Sequence, residues 1–143
     1  MYKNILVPVD LNATGFSDKA LKTAIWQAKQ SQAKLFLLTI LPGMNMPMVA
    51  SYFPESAIKA MANDTRAQLK AFAEEKIPDQ LDVVVHVGQG KPYRQILTYA
   101  HEQQIDLIIM PSHKRSKLNK AVLGSVAAKV VERAPIDVMV IKP

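Results

Sequence analysis

The chain has 143 residues, 49% of them hydrophobic and 21% charged, the balance of one ordinary globular domain (1–143) rather than of a disordered segment. It has no cysteine, which excludes a disulfide framework, thiol chemistry and a Cys-based zinc site. Its 18 Lys+Arg against 12 Asp+Glu leave a net charge of +6, an excess that suits nucleic acid, a membrane surface or a small anionic ligand.

The first apolar run is Ile5-Leu6-Val7-Pro8-Val9, which ends at Asp10. It is too short for a signal-peptide core, and no run in the chain approaches the ~18 residues that span a bilayer. A cytoplasmic protein with no membrane segment is the expectation. A helix follows, with Phe16, Ala20, Leu21, Ala24, Ile25 and Ala28 on one stripe at 3.6-residue spacing. The second run is Leu35 to Leu41. Residues 42–54 are then irregular and carry Met44, Met46, Met48, Tyr52 and Phe53. They read either as an excursion between strand and helix or as a lid or interaction surface, since methionine suits adaptable apolar contacts.

A longer helix carries Ile58, Met61, Ala62, Leu69, Phe72 and Ala73 on its apolar stripe. The third run is Val83-Val84-Val85-His86-Val87. A third helix opens on Pro92, a favourable first-turn position, and carries Tyr93, Ile96, Leu97 and Ala100. The fourth run is Leu107-Ile108-Ile109-Met110. A fourth helix carries Val122, Leu123, Val126, Ala127, Val130 and Val131, and ends near Ala134 because Pro135 disfavours helix at the residue before it. The last run is Val138-Met139-Val140-Ile141.

All five runs are nearly continuous and rich in β-branched residues, which predicts parallel strands buried on both faces. Strict β-α alternation predicts an α/β fold: one open five-stranded parallel sheet with helices on both faces. Ligands of such sheets bind beyond the carboxyl ends of the strands, where strand order reverses. That directs attention to the loops after the first and fourth strands.

After the first strand comes Asp10, whose carboxylate either accepts hydrogen bonds from an adenine amino group or a ribose hydroxyl, or only supports the turn into the helix. After the fourth comes Pro111-Ser112-His113-Lys114, within a stretch whose basic residues are Lys114, Arg115, Lys117 and Lys120. It leads to Leu123-Gly124-Ser125-Val126 near a helix start. A helix start offers unpaired N–H groups and a partial positive charge, glycine permits close backbone approach, and serine adds a hydroxyl. Together these form a candidate phosphate cradle.

Other motifs are set aside. Gly88-Gln89-Gly90-Lys91 lacks the first P-loop glycine, which would fall at Val85, and Lys91 is followed by Pro92. No dinucleotide fingerprint or nucleophile elbow occurs. His86, His101 and His113 have no metal-ligand spacing, and His86 and His101 read as structural. Any metal expected is magnesium held partly by nucleotide phosphates. Outside Lys114–Lys120 the positive residues are spread over helices, with no stacking platform or helix-turn-helix, so nucleic acid is a minor alternative.

At these residues the sequence resembles the universal stress protein family, over essentially the whole chain. The match is carried by Lys3-Asn4-Ile5-Leu6-Val7-Pro8-Val9-Asp10, Gly90-Lys91-Pro92 with Ile96, Asp106 to Met110, and above all Leu123 to Ile141. The resemblance implies an adenine nucleotide alpha-hydrolase-like fold, strand order 3-2-1-4-5, and a homodimer joined through the final strand. It also implies binding of ATP or AMP, with magnesium as companion, in a stress-response or regulatory role.

The family's nucleotide signature is glycine, two residues, glycine, nine residues, then glycine with serine or threonine. Gly124-Ser125 keep its end, whereas Pro111 and Lys114 stand at its first two glycines. Proline removes a backbone donor, while the lysine adds a charge that phosphate accepts. A shorter branch of the family carries the same departure and is still associated with adenine nucleotides.

The resemblance places Pro8, Val9 and Asp10 at the adenosine end and Ile40 against the adenine. It places Met110, Ser112, His113 and Lys114 at the ribose and phosphates, and Gly124, Ser125 and Val126 on the phosphates. Ile40, Met110 and Val126 fit an ordinary apolar core as well. Two further readings stay open: a dimeric interaction module of the same fold without nucleotide, and a slow ATP hydrolase. No general base is evident beyond Asp10 or His113, and no catalytic residue is assigned.

Overall fold

The computed structural model describes residues 1–41, 48, 51–112 and 123–142. Strand β1 (Asn4–Pro8) leads to helix α1 (Asp18–Ser31), then β2 (Lys34–Ile40), α2 (Glu55–Lys76), β3 (Val83–Gly88), α3 (Pro92–Glu102), β4 (Leu107–Pro111), α4 (Ser125–Arg133) and β5 (Asp137–Ile141). The strands form one parallel sheet in the order β3-β2-β1-β4-β5. The expected α/β architecture and strand order are both present. Among the described residues no helix is long and apolar enough to cross a membrane.

The core lies in two layers, one on each face of the sheet. Ile5, Val7, Leu35, Leu37, Leu107 and Ile109 point to α1 and α2, where Ala20, Leu21, Ala24, Ala28, Leu69 and Ala73 meet them. Leu6, Phe36, Leu38, Ile108 and Met110 point the other way, to Ile96, Ala100, Ala127 and Val130 of α3 and α4. This period-2 division is why β1, β2 and β4 read as continuous apolar runs: both faces are covered. Three buried alanines at Ala20, Ala24 and Ala28 let α1 lie close on the sheet.

Two strands depart from the expectation of burial on both faces. β3 and β5 are the sheet edges; most of β3 is half-buried, with His86 exposed, and β5 alternates between exposed and half-buried. Their valines still pack on one side, Val83 and Val85 toward α1 and α2, Val84, Val138 and Val140 toward α3 and α4. An edge strand keeps the apolar composition while losing a neighbour, so composition does not separate edge from centre.

The ends of the elements follow local chemistry. α1 begins at Asp18 rather than at Phe16, because Gly15 sits at φ +79 and the chain from Asp10 to Ser17 is spent on turns. Pro92 occupies the first turn of α3, as its missing N–H allows, and α4 stops at Arg133 ahead of Pro135. The amino end of β1 is clamped to β4 by Asp106, whose carboxylate accepts the N–H groups of Lys3 at 2.8 Å and Asn4 at 3.0 Å. His86 stacks on Tyr99 with ring centroids 4.5 Å apart and an interplanar angle of 4°. Partial desolvation lowers the His86 pKa, with Glu102 opposing and Arg66 assisting.

Met44 and Met46 of the methionine-bearing segment, Val122 of the expected last-helix stripe, and His113 and Lys114 of the candidate site lie outside the described residues, as does the basic stretch Lys114–Lys120; Leu123 of that stripe precedes α4, which begins at Ser125 after its N-cap Gly124. Of that methionine-bearing segment, Met48, Tyr52 and Phe53 are exposed.

Candidate functional site

Strand order reverses between β1 and β4: from β1 the chain moves outward to β2 and β3, then returns to the other side for β4 and β5. The helices that follow β1 and β4, α1 and α4, therefore lie on opposite faces of the sheet, which leaves a crevice between the carboxyl ends of the two strands.

On the β1 side, Val9 N–H donates to Leu38 O at 2.8 Å, so the pairing with β2 runs one residue past the strand. Val9 is buried in the layer facing α1 and α2, and Pro8 is half-buried. Asp10 is exposed at the lip. Its Oδ1 accepts the Asn12 N–H at 2.9 Å and its carbonyl accepts the Ala13 N–H at 3.3 Å. This turn holds the carboxylate in place through one oxygen, and Oδ2 has no hydrogen-bond donor among the described residues. The two readings of Asp10 are thus compatible: the same side chain can support the turn and bind.

On the β4 side, the offset that pairs Ile5 with Leu107 and Leu6 with Ile108 sets Met110 beside Pro8. Met110 is 3% exposed and sits in the core toward α3 and α4. Pro111 closes β4 opposite Ile141, and the next amide, Ser112 N–H, donates to Ile141 O at 2.9 Å. The proline therefore ends the strand without ending the pairing to β5. It also follows that the Ser112 amide is committed to the sheet, leaving its hydroxyl as the group that could meet a ligand. Ser112 is buried.

Across from these lies the amino end of α4. Gly124 is its N-cap, at φ −57 and ψ 158, and as a glycine it brings no capping side chain of its own. The Gly124 carbonyl accepts the Ala128 N–H at 2.9 Å, while the first-turn amides carry the positive end of the helix dipole. Ser125 is exposed and Val126 is half-buried, packed on the same core layer as Ile40. Of the anticipated residues, Asp10, Ser112, Gly124 and Ser125 supply polar groups; Ile40, Met110 and Val126 supply apolar support.

A cleft of about 210 Å³ adjoins the crevice on the β2 side. Leu11, Asn12, Thr39 and Ile40 form one wall, and Met61, Asp64, Thr65 and Gln68 of α2 the other, with Gln68 Nε2 donating to Asp64 Oδ2 at 3.1 Å. That volume is below the roughly 300 Å³ at which pockets for whole drug-sized ligands begin, so the cleft alone does not hold a complete nucleotide. Thr39 and the α2 residues were not anticipated. Thr39 carried a signal, as the polar residue within the apolar run of β2. The α2 residues carried none, because their approach to the cleft depends on how the helix crosses the sheet. Among the described residues no group of His, Asp and Glu is arranged to hold a metal ion.

The fold defines a doubly wound α/β protein with its crevice at the reversal between β1 and β4. The model of the universal stress protein family matches residues 1–142, and the chain belongs to that family. It is 30% identical to the universal stress protein YxiE of Bacillus subtilis, with 99% of this chain and 100% of that protein aligned. Among solved structures it is similar to the hypothetical protein MJ0577, with a TM-score of 0.79 at 25% identity, covering 100% of this chain and 97% of the other. It is also similar to a universal stress protein solved in complex with cAMP, with a TM-score of 0.62 at 25% identity, covering 99% and 97% of the two chains.

Proposed function

We propose that this protein binds an adenine nucleotide, ATP or AMP, in the crevice between β1 and β4, and that binding rather than turnover is its activity. What supports the reading is that the topology puts three features at the carboxyl end of the sheet: the lip carboxylate of Asp10, the amino end of α4 at Gly124–Ser125, and the cleft beside Ile40. The base enters the cleft against Ile40, with Asp10 accepting from the adenine amino group or the ribose. The phosphates lie on the amides of Gly124, Ser125 and Val126 and on the Ser125 hydroxyl. Pro8 and Val9 complete the adenosine end, Met110 gives apolar support from the core, and Ser112 and His113 face the ribose and phosphates. Lys114 neutralises phosphate charge where the family has glycine, and magnesium travels with the phosphates. The complex of a related stress protein with cAMP supports an adenine nucleotide as the ligand class.

Calorimetry of purified protein with ATP–Mg and with AMP tests this directly. Saturable binding of one nucleotide per chain is expected; no heat at millimolar nucleotide would leave the ligand-free interaction module as the better reading. Steady ATP turnover lost on Ser125→Ala would favour the hydrolase reading instead.

The chain, one domain over 1–143, is further proposed to act as a cytoplasmic homodimer. β5 is one of the two edge strands of the sheet, part exposed and part half-buried, with Met139 37% exposed. Its free backbone groups suit antiparallel pairing with the same strand of a second copy. Light scattering at micromolar concentration is expected to give twice the monomer mass. Val140 turns its backbone away from β4, because Ile141 O accepts from Ser112 and alternate residues face alternate sides, so Val140→Pro removes a donor from the free edge and is expected to shift the mass toward the monomer.

A further inference from the structure

Away from the crevice, three cations from two helices converge on one tyrosine. Tyr93 and Arg94 are the second and third residues of α3, while Lys129 and Arg133 are one turn apart on α4. Arg94 Nε donates to the Tyr93 hydroxyl oxygen at 3.0 Å, and Arg133 Nη1 donates to the same oxygen at 3.3 Å. Lys129 Nζ lies 4.7 Å from the centre of the Tyr93 ring, and the Arg133 guanidinium 5.0 Å from it. The ring is 8% exposed, whereas Arg94, Lys129 and Arg133 are exposed side chains.

This cluster is electrostatically incomplete. The ion pairs among the described residues join Lys34 to Asp82 and Lys76 to Asp18, and neither includes Arg94, Lys129 or Arg133. Three like charges thus gather at the positive end of α3, whose N-cap Lys91 is itself basic and makes no side-chain cap. The tyrosine hydroxyl is incomplete as well. Its oxygen already accepts two N–H donors, which uses both lone pairs, and its own proton meets no acceptor among the described residues. The two arginine contacts, that of Arg94 first, also lower the Tyr93 pKa and so make its O–H a stronger donor. Both deficits are met by one kind of ligand, an anionic oxygen acceptor. A carboxylate brings one charge and two oxygens to three cations and a hydroxyl; a phosphate brings nearly two charges and at least three oxygens.

We infer that Tyr93, Arg94, Lys129 and Arg133 form a second phosphate-binding site, on the α3–α4 face and distinct from the nucleotide crevice. The arginines supply N–H donors to the phosphate oxygens, Lys129 supplies charge, and Tyr93 donates its proton while holding the two guanidinium groups apart.

The test is a titration of isotopically labelled protein with inorganic phosphate at constant ionic strength, with acetate in parallel. Saturable amide shifts centred on Tyr93, Arg94, Lys129 and Arg133 are expected with phosphate, and at least tenfold weaker ones with acetate. The double substitution R94Q/R133Q is expected to weaken phosphate binding at least tenfold, and Tyr93→Phe about threefold, with the remaining spectrum unchanged. Asp10→Ala leaves this binding intact, so failure of the nucleotide reading and failure of this one are separable. Shifts confined to Gly124–Val126, equal responses to phosphate and acetate, or indifference to R94Q/R133Q would each overturn the second site.

Discussion

Ile108→Ala is expected to destabilise the protein by about 2–5 kcal/mol, toward the upper end of that range. Ile108 is 0% exposed on β4, beside Leu6 of β1 and Val138 of β5, and faces the core layer of α3 and α4. Truncation removes three carbons from a site whose walls are sheet backbone and branched side chains. Such walls relax poorly, so the cavity term adds to the transfer term. The midpoint of urea unfolding is expected to fall with an unchanged slope, and Tm to fall by roughly 10 °C or more. Val131→Ala is the matched comparison: Val131 is 45% exposed on α4, and its truncation is expected to stay within about 0.5 kcal/mol. Equal effects at the two positions would mean that the two-layer core is wrongly divided.

That division also explains which parts of the fold were readable in advance. Leu35, Leu37 and Leu38 announce a strand because both helical layers need apolar contact from β2, one on each face. The same rule misleads at β3, where Val83, Val84 and Val85 are just as apolar although the strand is an edge. Strand order depends on which side each crossover takes, and no local pattern encodes that choice; it came through the family resemblance. The apolar stripe of α2 is a milder case. Leu69 and Ala73 are buried against the sheet, but Met61 is half-buried, because the amino-terminal half of the helix borders the cleft instead of the core. A hydrophobic stripe shows which face points inward and not how much sheet lies beneath it.

The candidate site was legible where chemistry is local. Asp10 and Gly124–Ser125 could be found because a carboxylate after a first strand and a glycine-serine helix start have meaning by position alone. Thr39 was legible in principle, as a hydroxyl within a run of leucines. Thr65 and Gln68 of α2 reach the cleft only through tertiary packing. The Tyr93 cluster depends on α3 meeting α4, which brings Arg133 to a tyrosine forty positions earlier; sequence spacing carries no trace of that contact.

Saturating nucleotide is expected to stabilise the protein in proportion to its occupancy. At a hundred times Kd, ATP–Mg adds about 2.7 kcal/mol. Asp10→Ala removes the carboxylate that the proposal places on the base or ribose, a charge-assisted hydrogen bond of about 1.5–3 kcal/mol. Affinity therefore falls about tenfold or more, and the stabilisation at the same ATP concentration falls to about 1.4 kcal/mol or less. Because Asp10 also accepts the Asn12 N–H, the variant has a lower baseline stability, and the informative quantity is the rise in Tm with ATP. Asp10→Asn separates the two roles: its side-chain oxygen can still accept from Asn12, but it lacks the charge. An intermediate ATP response is expected for Asn and the smallest for Ala. Identical Tm shifts in wild type, Asn and Ala variants would place the nucleotide away from Asp10. Loss of the shift in Ser125→Ala alone would then confine the ligand to the helix end of the crevice.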